Sequence, residues 1–355
     1  MFTAQLCTTL ARTHEVGLLT YAGVLDSRGA DIDASLRKAG VHVTHLDVRS
    51  SVQKGRLPLK VGAHISSFRP DVVNVHLDQS EVFAALARPF ASPRPAMVRT
   101  LHNTIVVRAS ARWLAPMLRA SYDWTIACGS AVATALANIA APGRLSIIPN
   151  GIDTRRFRCQ PPLASSGGPL RLVAVGSMSL RAGTLPKGQD VLLRSLQKSG
   201  LGERVELLLV GDGDQRSRLE AMAAELGLRN VRFAGLVHDI PAVLHGADAV
   251  VLPSRFEGLP LAAIEAACAG RPLLTSDIPP FADFAETAIT CAVGDVESAA
   301  AALARLVDEH PRRLADAIRL RDAYASRFDI STTAQQYSAL YASLVGTASS
   351  TPVRH

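Results

Sequence analysis

The amino-acid sequence predicts an α/β protein with two doubly wound parallel sheets, and three features lead to that fold class. Short apolar runs alternate with helix-length amphipathic stretches along the whole chain, which is typical of parallel sheets covered by helices on both faces. The chain has 355 residues, of which 48% are hydrophobic, so it is large enough for two domains with separate cores. A stretch rich in Pro and Gly, residues 158–169, divides the alternating pattern into two series of similar length.

Each series contains candidate strands, recognised as short apolar runs between turn residues. The first series lies at residues 15–20, 41–46, 71–77, 96–101, 124–128 and 145–149, and the second at residues 170–176, 205–211, 230–235, 248–252, 271–275 and 288–292. In the second series, helices are predicted at residues 187–199, 214–227 and 295–309.

The predicted domain boundaries follow from these two series. The first domain covers residues 1–157, a linker covers residues 158–169, and the second domain covers residues 170–328. A helix at residues 329–345 is expected to pack back toward the first domain, and residues 346–355 form a flexible tail. We expect the two domains to face each other across a central cleft.

Composition and charge exclude several classes of protein. No run of 18 or more apolar residues is present, and the first residues lack the pattern of a secretory signal. The five cysteines are never spaced C-x-x-C, which disfavours a disulfide framework or a zinc site and suits a reducing cytoplasm. Residues 1–160 carry 19 Lys and Arg against 10 Asp and Glu, a surplus that attracts phosphates, nucleic acid or an anionic membrane. Nucleic acid is not an expected partner, because stacking aromatics are scarce and no nucleic-acid motif is present.

The strand order of the second domain locates a ligand site before any motif is used. In the common order 3-2-1-4-5-6, strands one and four are neighbours at the topological switch point, where ligands bind at the carboxyl ends of the strands. Strand one ends at Gly176 and is followed by a loop to Lys187, and strand four ends at Pro253. The segments after these strands should therefore line a site for phosphates.

Two glutamates follow the fourth strand. Glu257 lies in the turn after the strand, and Glu265 lies about two helical turns later, on the side reached from the same site. Carboxylates accept hydrogen bonds from the paired hydroxyls of a sugar or ribose, and free N–H groups near Gly258 suit a diphosphate. The spacing alone leaves an alternative open, in which Glu257 is an acid at a helix N-terminus and Glu265 is a surface residue.

The segment S-R-F-E-G-L-P-L-A-A-I-E-A-A-C-A-G-R-P, residues 254–272, resembles the E-x7-E motif of retaining glycosyltransferases of family 4, which have the two-Rossmann GT-B fold. Four further motifs resemble those of the family and occur in its order: P-N-G-I-D at residues 149–153, K-G at 187–188, V-G-D-G at 210–213 and F-A-G at 233–235. The resemblance covers residues from about 70 to 345, with weaker similarity before that.

The resemblance implies roles for individual residues. Glu257 would contact the transferred sugar, and Glu265 would bind the ribose hydroxyls of the donor nucleotide. Lys187 would neutralise the diphosphate as the leaving group takes up negative charge. The remaining residues that the resemblance implies are His102, in T-L-H-N at a strand end and facing the donor sugar, and, for donor binding, the backbone of Gly258, Leu259, Gly176 and Gly211.

One departure from the family lies in the phosphate site. The family often has V-G-R after the first strand of this domain, whereas this sequence reads Val175-Gly176-Ser177 and continues in a longer loop. Arg181 is a candidate donor-binding residue that could supply the missing guanidinium. An exposed loop arginine is the alternative, and the sequence leaves both open.

No metal site and no other cofactor is predicted. Asp31 and Asp33, like Asp212 and Asp214, read D-x-D, but the first pair is expected at a helix start, where acids interact favourably with the helix dipole. The second pair is expected in a strand-to-helix turn. A nicotinamide site is also disfavoured, because Arg216 stands where G-x-G-x-x-G requires its third glycine.

The beginning of the chain departs from the family as well. Family members open with a strand and a glycine-rich loop before the first helix, whereas this sequence starts within that helix, MFTAQLCTTLART, just before H-E-V. The first strand of the first domain is therefore expected to be missing, either because the start is assigned too late or because the chain is truncated.

The resemblance implies a retaining, metal-independent transferase that moves a sugar from a nucleoside-diphosphate-sugar donor to a hydroxyl of a saccharide or glycolipid acceptor, in cell-surface polysaccharide or glycolipid assembly. Two alternatives stay open. One is a sugar-nucleotide epimerase of the same architecture. The other is a catalytically weak or inactive nucleotide-sugar-binding remnant, which the expected loss of the first strand motivates.

The expected location is the cytoplasm, with the inner face of the membrane as a further option. Residues 108–124 place Arg108, Arg112 and Arg119 among apolar side chains, as in a basic amphipathic helix on an anionic membrane. An ordinary core helix with solvated arginines is the alternative reading of the same pattern.

Overall fold

A computed structural model describes residues 2–21, 27–48, 50–76, 78–102, 114–136, 140–157, 168–181 and 183–348 of the chain. The chain divides into two compact units. Unit 1 combines the chain up to Gly151 with the segment from Ile330, and unit 2 runs from Ile152 to Asp329. Residues 158–167 of the predicted linker lie outside the described residues.

The border between the units differs from the predicted one at residue 157. Residues 152–157 belong to unit 2, because the Ile152 N–H donates to the Phe328 carbonyl over 2.9 Å and the Thr154 hydroxyl donates to Asp329 over 2.7 Å. Apolar periodicity cannot reveal this border, since both contacts join segments that are about 175 residues apart.

The secondary structure of unit 1 alternates strands and helices. Its strands are Gly17–Thr20 (β1), His42–His45 (β2), Val72–His76 (β3), Ala96–Leu101 (β4), Trp124–Ala127 (β5) and Leu145–Ile147 (β6). Its helices up to β6 are Phe2–Leu10 (α1), Ser27–Lys38 (α2), Ser51–Gly55 (α3), Leu57–Phe68 (α4), Asp78–Ala87 (α5), Ala115–Ser121 (α6) and Ser130–Leu136 (α7), with a 3₁₀ turn at Arg88–Phe90.

All strand pairs of unit 1 are parallel, but they form two sheets. β1 pairs with β2, and the other four strands form a sheet of order β3-β4-β5-β6. Leu19 of β1 and Val73 of β3 nevertheless pack in one apolar cluster with α4, and α1 packs against residues next to both sheets. Among the described residues, β1 pairs only with β2, and β3 pairs only with β4. The expectation of a missing first strand stays a prediction.

The secondary structure of unit 2 repeats the alternation. Its strands are Leu170–Val175 (β7), Val205–Val210 (β8), Val231–Gly235 (β9), Ala249–Leu252 (β10), Leu273–Ser276 (β11) and Ala288–Cys291 (β12). Its helices are Gln189–Lys198 (α8), Arg216–Glu225 (α9), Ile240–His245 (α10), Leu261–Cys268 (α11), Val296–Asp308 (α12) and His310–Arg327 (α13), with 3₁₀ turns at Thr154–Phe157, Gly202–Arg204 and Pro279–Phe284.

One six-stranded parallel sheet, of order β12-β11-β10-β7-β8-β9, forms the centre of unit 2. Counted within the unit, this is the predicted order 3-2-1-4-5-6, so the switch point lies between β7 and β10. The strands β10 and β11 are completely buried because both faces of the sheet are covered there, whereas the residues of the edge strand β9 alternate in exposure. The buried core lies on β7, β8, α8 and α12. The predicted α/β class with two parallel-sheet domains is confirmed.

The last helix, Ile330–Ala348 (α14), returns to unit 1. Its Tyr337 is fully buried in a cluster with Val98 of β4, Ile126 of β5 and Phe2 of α1. The side chains of this helix therefore form part of the core of unit 1.

The predicted helix at residues 108–124 is confirmed over the shorter range Ala115–Ser121, and its Leu118 and Met117 pack in an apolar cluster with β3 and β4, as the alternative of a core helix expects. Residues 103–113 lie outside the described residues, and only Ala115–Ser121 is helical before β5 starts at Trp124. The helix ends at Tyr122, whose backbone is extended and whose buried side chain donates a hydrogen bond to the Glu81 carbonyl over 2.7 Å. In the described ranges, no helix is long and apolar enough to cross a membrane.

Candidate active site

The loops that follow β7, β8 and β10 meet at the carboxyl edge of the sheet in unit 2. Three glycines permit this approach, since a β-carbon on Gly211 would collide with the Gly176 carbonyl and one on Gly188 with the Pro253 carbonyl. A β-carbon on Gly176 would lie 2.7 Å from Cγ of Lys187. Gly176 and Gly211, predicted for donor binding, thus also have a packing reason to be glycine.

Lys187 and Glu257 form an ion pair at this edge. Nζ of Lys187 donates to both carboxylate oxygens of Glu257, over 2.7 and 2.8 Å, and the Ser254 hydroxyl donates to Oε1 over 2.8 Å. The carboxylate is almost completely buried, whereas the lysine is partly exposed. Two residues to which the resemblance assigns a role in transfer are therefore brought together.

The backbone after Glu257 offers unpaired donors. The buried residues Gly258 and Leu259 precede α11, and within the described chain their N–H groups donate to no carbonyl or side chain. The N–H groups of Ala263 and Ile264 are already bonded to the Pro260 carbonyl. The start of α11 therefore presents N–H groups beside Glu257, an arrangement that favours an anion.

Glu265 lies about one turn into α11, which begins at Leu261, and is largely buried. Burial raises the pKa of its carboxyl from 4.5 to about 7, and the positive charge of Arg156 opposes this shift. No described residue donates a hydrogen bond to the Glu265 carboxyl. Such a buried and unpaired carboxyl is able to accept hydrogen bonds from a ligand.

Arg181 is exposed, in a short turn closed by backbone hydrogen bonds with Thr184. No described contact joins its guanidinium to Lys187 or Glu257. This placement favours the alternative of an exposed loop arginine, and a role in donor binding stays a prediction.

Arg255, which no sequence motif singled out, links the two loops that carry Lys187 and Glu257. Its guanidinium donates to both carboxylate oxygens of Asp190, over 2.7 and 2.8 Å, and to the Leu185 carbonyl over 2.9 Å. Its own N–H donates to the Pro186 carbonyl over 2.7 Å. Burial opposes ionisation of Asp190, but the hydrogen bonds from Arg255 prevail and lower the pKa of that carboxyl. No local sequence signal connects Arg255 with Asp190, because the two are 65 residues apart.

In unit 1, His102 follows β4 and belongs to a partly buried chain of hydrogen bonds. Its Nε2 lies 2.9 Å from Nδ1 of His76, the last residue of β3, and its Nδ1 lies 3.3 Å from Nδ2 of Asn150. Phe2 packs edge-on against the His102 ring, with centroids 5.7 Å apart. Sequence reasoning missed His76, although the parallel pairing of β3 with β4 brings both strand ends to the same edge.

Both imidazoles are neutral at physiological pH. Burial, together with the neighbouring His102, lowers the pKa of His76 to about 3, and burial lowers that of His102 to about 4. Since each neutral ring carries one N–H, the hydrogen-bond chain through His76 and Asn150 selects one tautomer of His102. The arrangement therefore provides a fixed, uncharged hydrogen-bonding group at the carboxyl edge of the sheet.

Neither D-x-D pair belongs to a described group of three or more His, Cys, Asp or Glu side chains that could hold a metal ion. Asp33 lies inside α2 and not at the predicted helix start. Its carboxylate accepts hydrogen bonds from Arg37 and His45. Asp212 and Asp214 lie in the predicted turn between β8 and α9.

Comparison with known proteins decides the family. Two family models match the chain, Glycosyltransferase Family 4 over residues 1–156 and glycosyl transferases group 1 over residues 169–309. The glycogen synthase of Mycobacterium tuberculosis is 33% identical over 298 residues, which cover 78% of this chain and 69% of the relative. The chain belongs to glycosyltransferase family 4.

Further relatives of this glycosyltransferase agree with that assignment. A GDP-mannose:cellobiosyl-diphosphopolyprenol alpha-mannosyltransferase of Xanthomonas campestris is 27% identical over 376 residues, covering 97% of this chain and 93% of the relative. Among solved structures, Anabaena HepE in complex with UDP-glucose superposes with a TM-score of 0.81 at 20% identity, over 96% of both chains. The expected GT-B fold and transferase class are thereby confirmed.

Proposed function

We propose that this protein is a retaining glycosyltransferase that moves a sugar from a nucleoside-diphosphate-sugar donor to a hydroxyl of a saccharide or glycolipid acceptor, in cell-surface polysaccharide or glycolipid assembly. The observation that carries the proposal is the pairing of Lys187 with Glu257 beside the unpaired N–H groups of Gly258 and Leu259. The ammonium group, the unpaired N–H groups and the carboxylate thus lie together at the switch point between β7 and β10.

The donor half of the proposal assigns each group a task. Lys187 and the N–H groups at the start of α11 bind the diphosphate and stabilise the charge that builds on it as the bond to the sugar breaks. Glu257 binds the sugar hydroxyls, and the buried Glu265 accepts hydrogen bonds from the ribose. Support comes from HepE, a protein of the same fold whose structures contain UDP and UDP-glucose.

We also propose that the donor binds without a divalent metal. An ammonium group and a helix N-terminus already provide positive potential at the proposed diphosphate position. Both oxygens of the Glu257 carboxylate already bind the ammonium group of Lys187. Glu257 therefore positions the lysine and is not needed as a ligand of a metal ion.

In unit 1, the proposed role of His102 is to face the donor sugar, where a sugar hydroxyl would replace His76 or Asn150 as a hydrogen-bond partner of the ring. Its low pKa keeps the ring uncharged, so it can recognise a hydroxyl without attracting the diphosphate. The proposed acceptor classes are supported by relatives, whose names specify glycogen synthesis and a diphosphopolyprenol-linked acceptor. The proposed location is the cytoplasm, with the inner face of the membrane as a further option, and the buried free thiols of Cys7, Cys128, Cys268 and Cys291 fit a reducing cytoplasm.

The anomeric configuration of the product tests the proposal. The protein is incubated with a panel of nucleoside-diphosphate-sugars and oligosaccharide or glycolipid acceptors, and the new linkage is observed by proton NMR. We expect retention of the donor configuration, with Lys187→Ala as the inactive control. Inversion would contradict the retaining mechanism, conversion of the donor without acceptor would indicate an epimerase, and binding without turnover would indicate a remnant.

A further inference from the structure

A group of exposed apolar side chains lies on one side of unit 1. Leu59 of α4, Leu86 of α5 and Phe90 in the following 3₁₀ turn are 53%, 43% and 53% exposed. Among the described residues of unit 1, only Ile147 is a further large apolar side chain of comparable exposure. An exposed cluster of this kind marks an interaction surface more often than an isolated apolar residue does.

The three side chains share one surface because α4 and α5 pack side by side. Phe90 lies over Gly62, where a β-carbon would be 2.6 Å from its own Cβ, and the Ser66 hydroxyl donates to the Phe90 carbonyl over 3.3 Å. Leu59 precedes Gly62 by one turn of α4, and Leu86 precedes Phe90 by four residues. We call Leu59, Leu86 and Phe90 the apolar patch.

The surroundings of the apolar patch are basic. Residues 48–70 hold five Lys and Arg and no Asp or Glu, and residues 82–95 hold two Arg and no acid. Arg56 and Lys60 flank Leu59, Arg94 follows Phe90, and all three are exposed. In the described part of the chain, none of these three side chains forms an ion pair.

We propose that the apolar patch and the basic side chains around it bind the surface of an anionic lipid bilayer. Apolar side chains next to Lys and Arg fit the boundary between acyl chains and anionic headgroups. A second copy of this chain is a poor occupant, because it would present the same positive charges to the patch. The apolar patch would hold the protein at the inner face of the membrane, whichever sugar donor it uses.

Sedimentation with lipid vesicles tests the proposal on the full-length protein. We expect binding to vesicles with 30% phosphatidylglycerol, weaker binding at high salt, and little binding to pure phosphatidylcholine. Leu59→Ser with Phe90→Ser should abolish binding. Arg56→Glu with Lys60→Glu should lower the partition coefficient about twenty-five-fold or more, because each basic residue near the surface contributes about fivefold.

Matched controls lie in unit 2. Leu236→Ser removes a side chain that is 66% exposed, and Arg229→Glu with Arg232→Glu changes the net charge as much as the test pair does. Both controls should bind vesicles like the original protein. Circular dichroism and transfer to a water-soluble acceptor verify that the variants are folded, and failure of transfer in all proteins would affect the proposed function only.

Three results would overturn the proposal. The first is equal vesicle binding by the patch variants and the controls. The second is absence of binding by the original protein to anionic vesicles. The third is a dimer in solution that the patch substitutions dissociate, since the patch would then be covered by a second copy.

Discussion

Lys187 is the residue on which the proposed donor site depends most. Its ammonium group donates to both oxygens of a buried carboxylate, so Glu257 holds the lysine where the diphosphate is proposed to lie. Arriving phosphate oxygens would share or replace Glu257 as partners of the ammonium. The two residues are therefore expected to respond differently to substitution, although they touch each other.

Lys187→Ala should weaken binding of the nucleoside diphosphate far more than binding of the nucleoside, because only the diphosphate loses a charge-assisted partner. Glu257→Gln should reduce transfer by about a hundredfold or more while the diphosphate binds as well as before or more tightly, since Lys187 loses its competing carboxylate. Calorimetry on both variants measures the affinities. Equal loss of diphosphate affinity in both variants would refute this division of tasks.

Glu265→Gln provides the comparison within the same helix. Loss of the charged acceptor for the ribose should weaken nucleotide and nucleoside binding alike, by about 1.5–3 kcal/mol. A selective loss of diphosphate binding would instead place Glu265 at the phosphates.

Glu265 should also make stability depend on pH. Burial raises its pKa in the folded protein to about 7 from 4.5, so the folded state keeps a proton that the unfolded state has released. Stability from this group is present below pH 4.5 and is lost as the pH rises to about 7. Melting temperatures measured from pH 5 to pH 8 should thus fall for the original protein relative to Glu265→Gln, and parallel curves would contradict the raised pKa.

At the scale of secondary-structure elements, Arg255 connects the loop after β10 to the start of α8. The fork of its guanidinium matches the Asp190 carboxylate in a bidentate pair, a geometry that lysine cannot reproduce. The same arginine bonds the Leu185 and Pro186 carbonyls just before Lys187. Arg255 is therefore a positioning residue for Lys187.

Arg255→Lys should raise the KM for the donor with a smaller effect on kcat, because the loop of Lys187 loses its anchor. Asp190→Asn should have a similar effect, and the double variant should be little worse than either, with a coupling of about 0.5–3 kcal/mol. Donor kinetics and thermal unfolding on all four proteins complete the cycle. Additive effects on KM would show that the pair does not act as a unit.

The strands illustrate how far the sequence predicts these elements. Short apolar runs predicted all twelve described strands, because a strand in a parallel sheet covered by helices consists largely of apolar residues. Glu257, Glu265 and Lys187 were found because they lie at strand ends that the predicted order brings together. His76 and Arg255 were missed because their functions arise from partners 26 and 65 residues away. The division of unit 1 into two sheets was missed for the same reason.

At the scale of the whole molecule, the two units differ in how the chain builds them. Unit 2 is one continuous segment, Ile152–Asp329, whereas unit 1 needs residues from both ends of the chain. Tyr337 of α14 is completely buried against strands β4 and β5. Removal of α14 would expose this cluster while leaving the core of unit 2 unchanged.

A protein shortened to end at Asp329 should therefore lose the cooperative melting of unit 1 and keep that of unit 2. The segment 152–329 alone should fold and bind a nucleoside diphosphate, since Lys187, Glu257 and Glu265 all lie within it. Hydrogen exchange and calorimetry measure the two effects. Uniform loss of protection across both units in the shortened protein would contradict the independence of unit 2.

We propose that the edge of the sheet in unit 2 binds a nucleoside-diphosphate-sugar and activates it for transfer without a metal. The most direct measurement is transfer from a panel of such donors in the presence of EDTA, with the original protein, Lys187→Ala and Glu257→Gln side by side. We predict transfer by the original protein that is unchanged by EDTA and at least a hundredfold lower in both variants. Transfer that requires added Mg²⁺ or Mn²⁺, or that survives both substitutions, would contradict the claim.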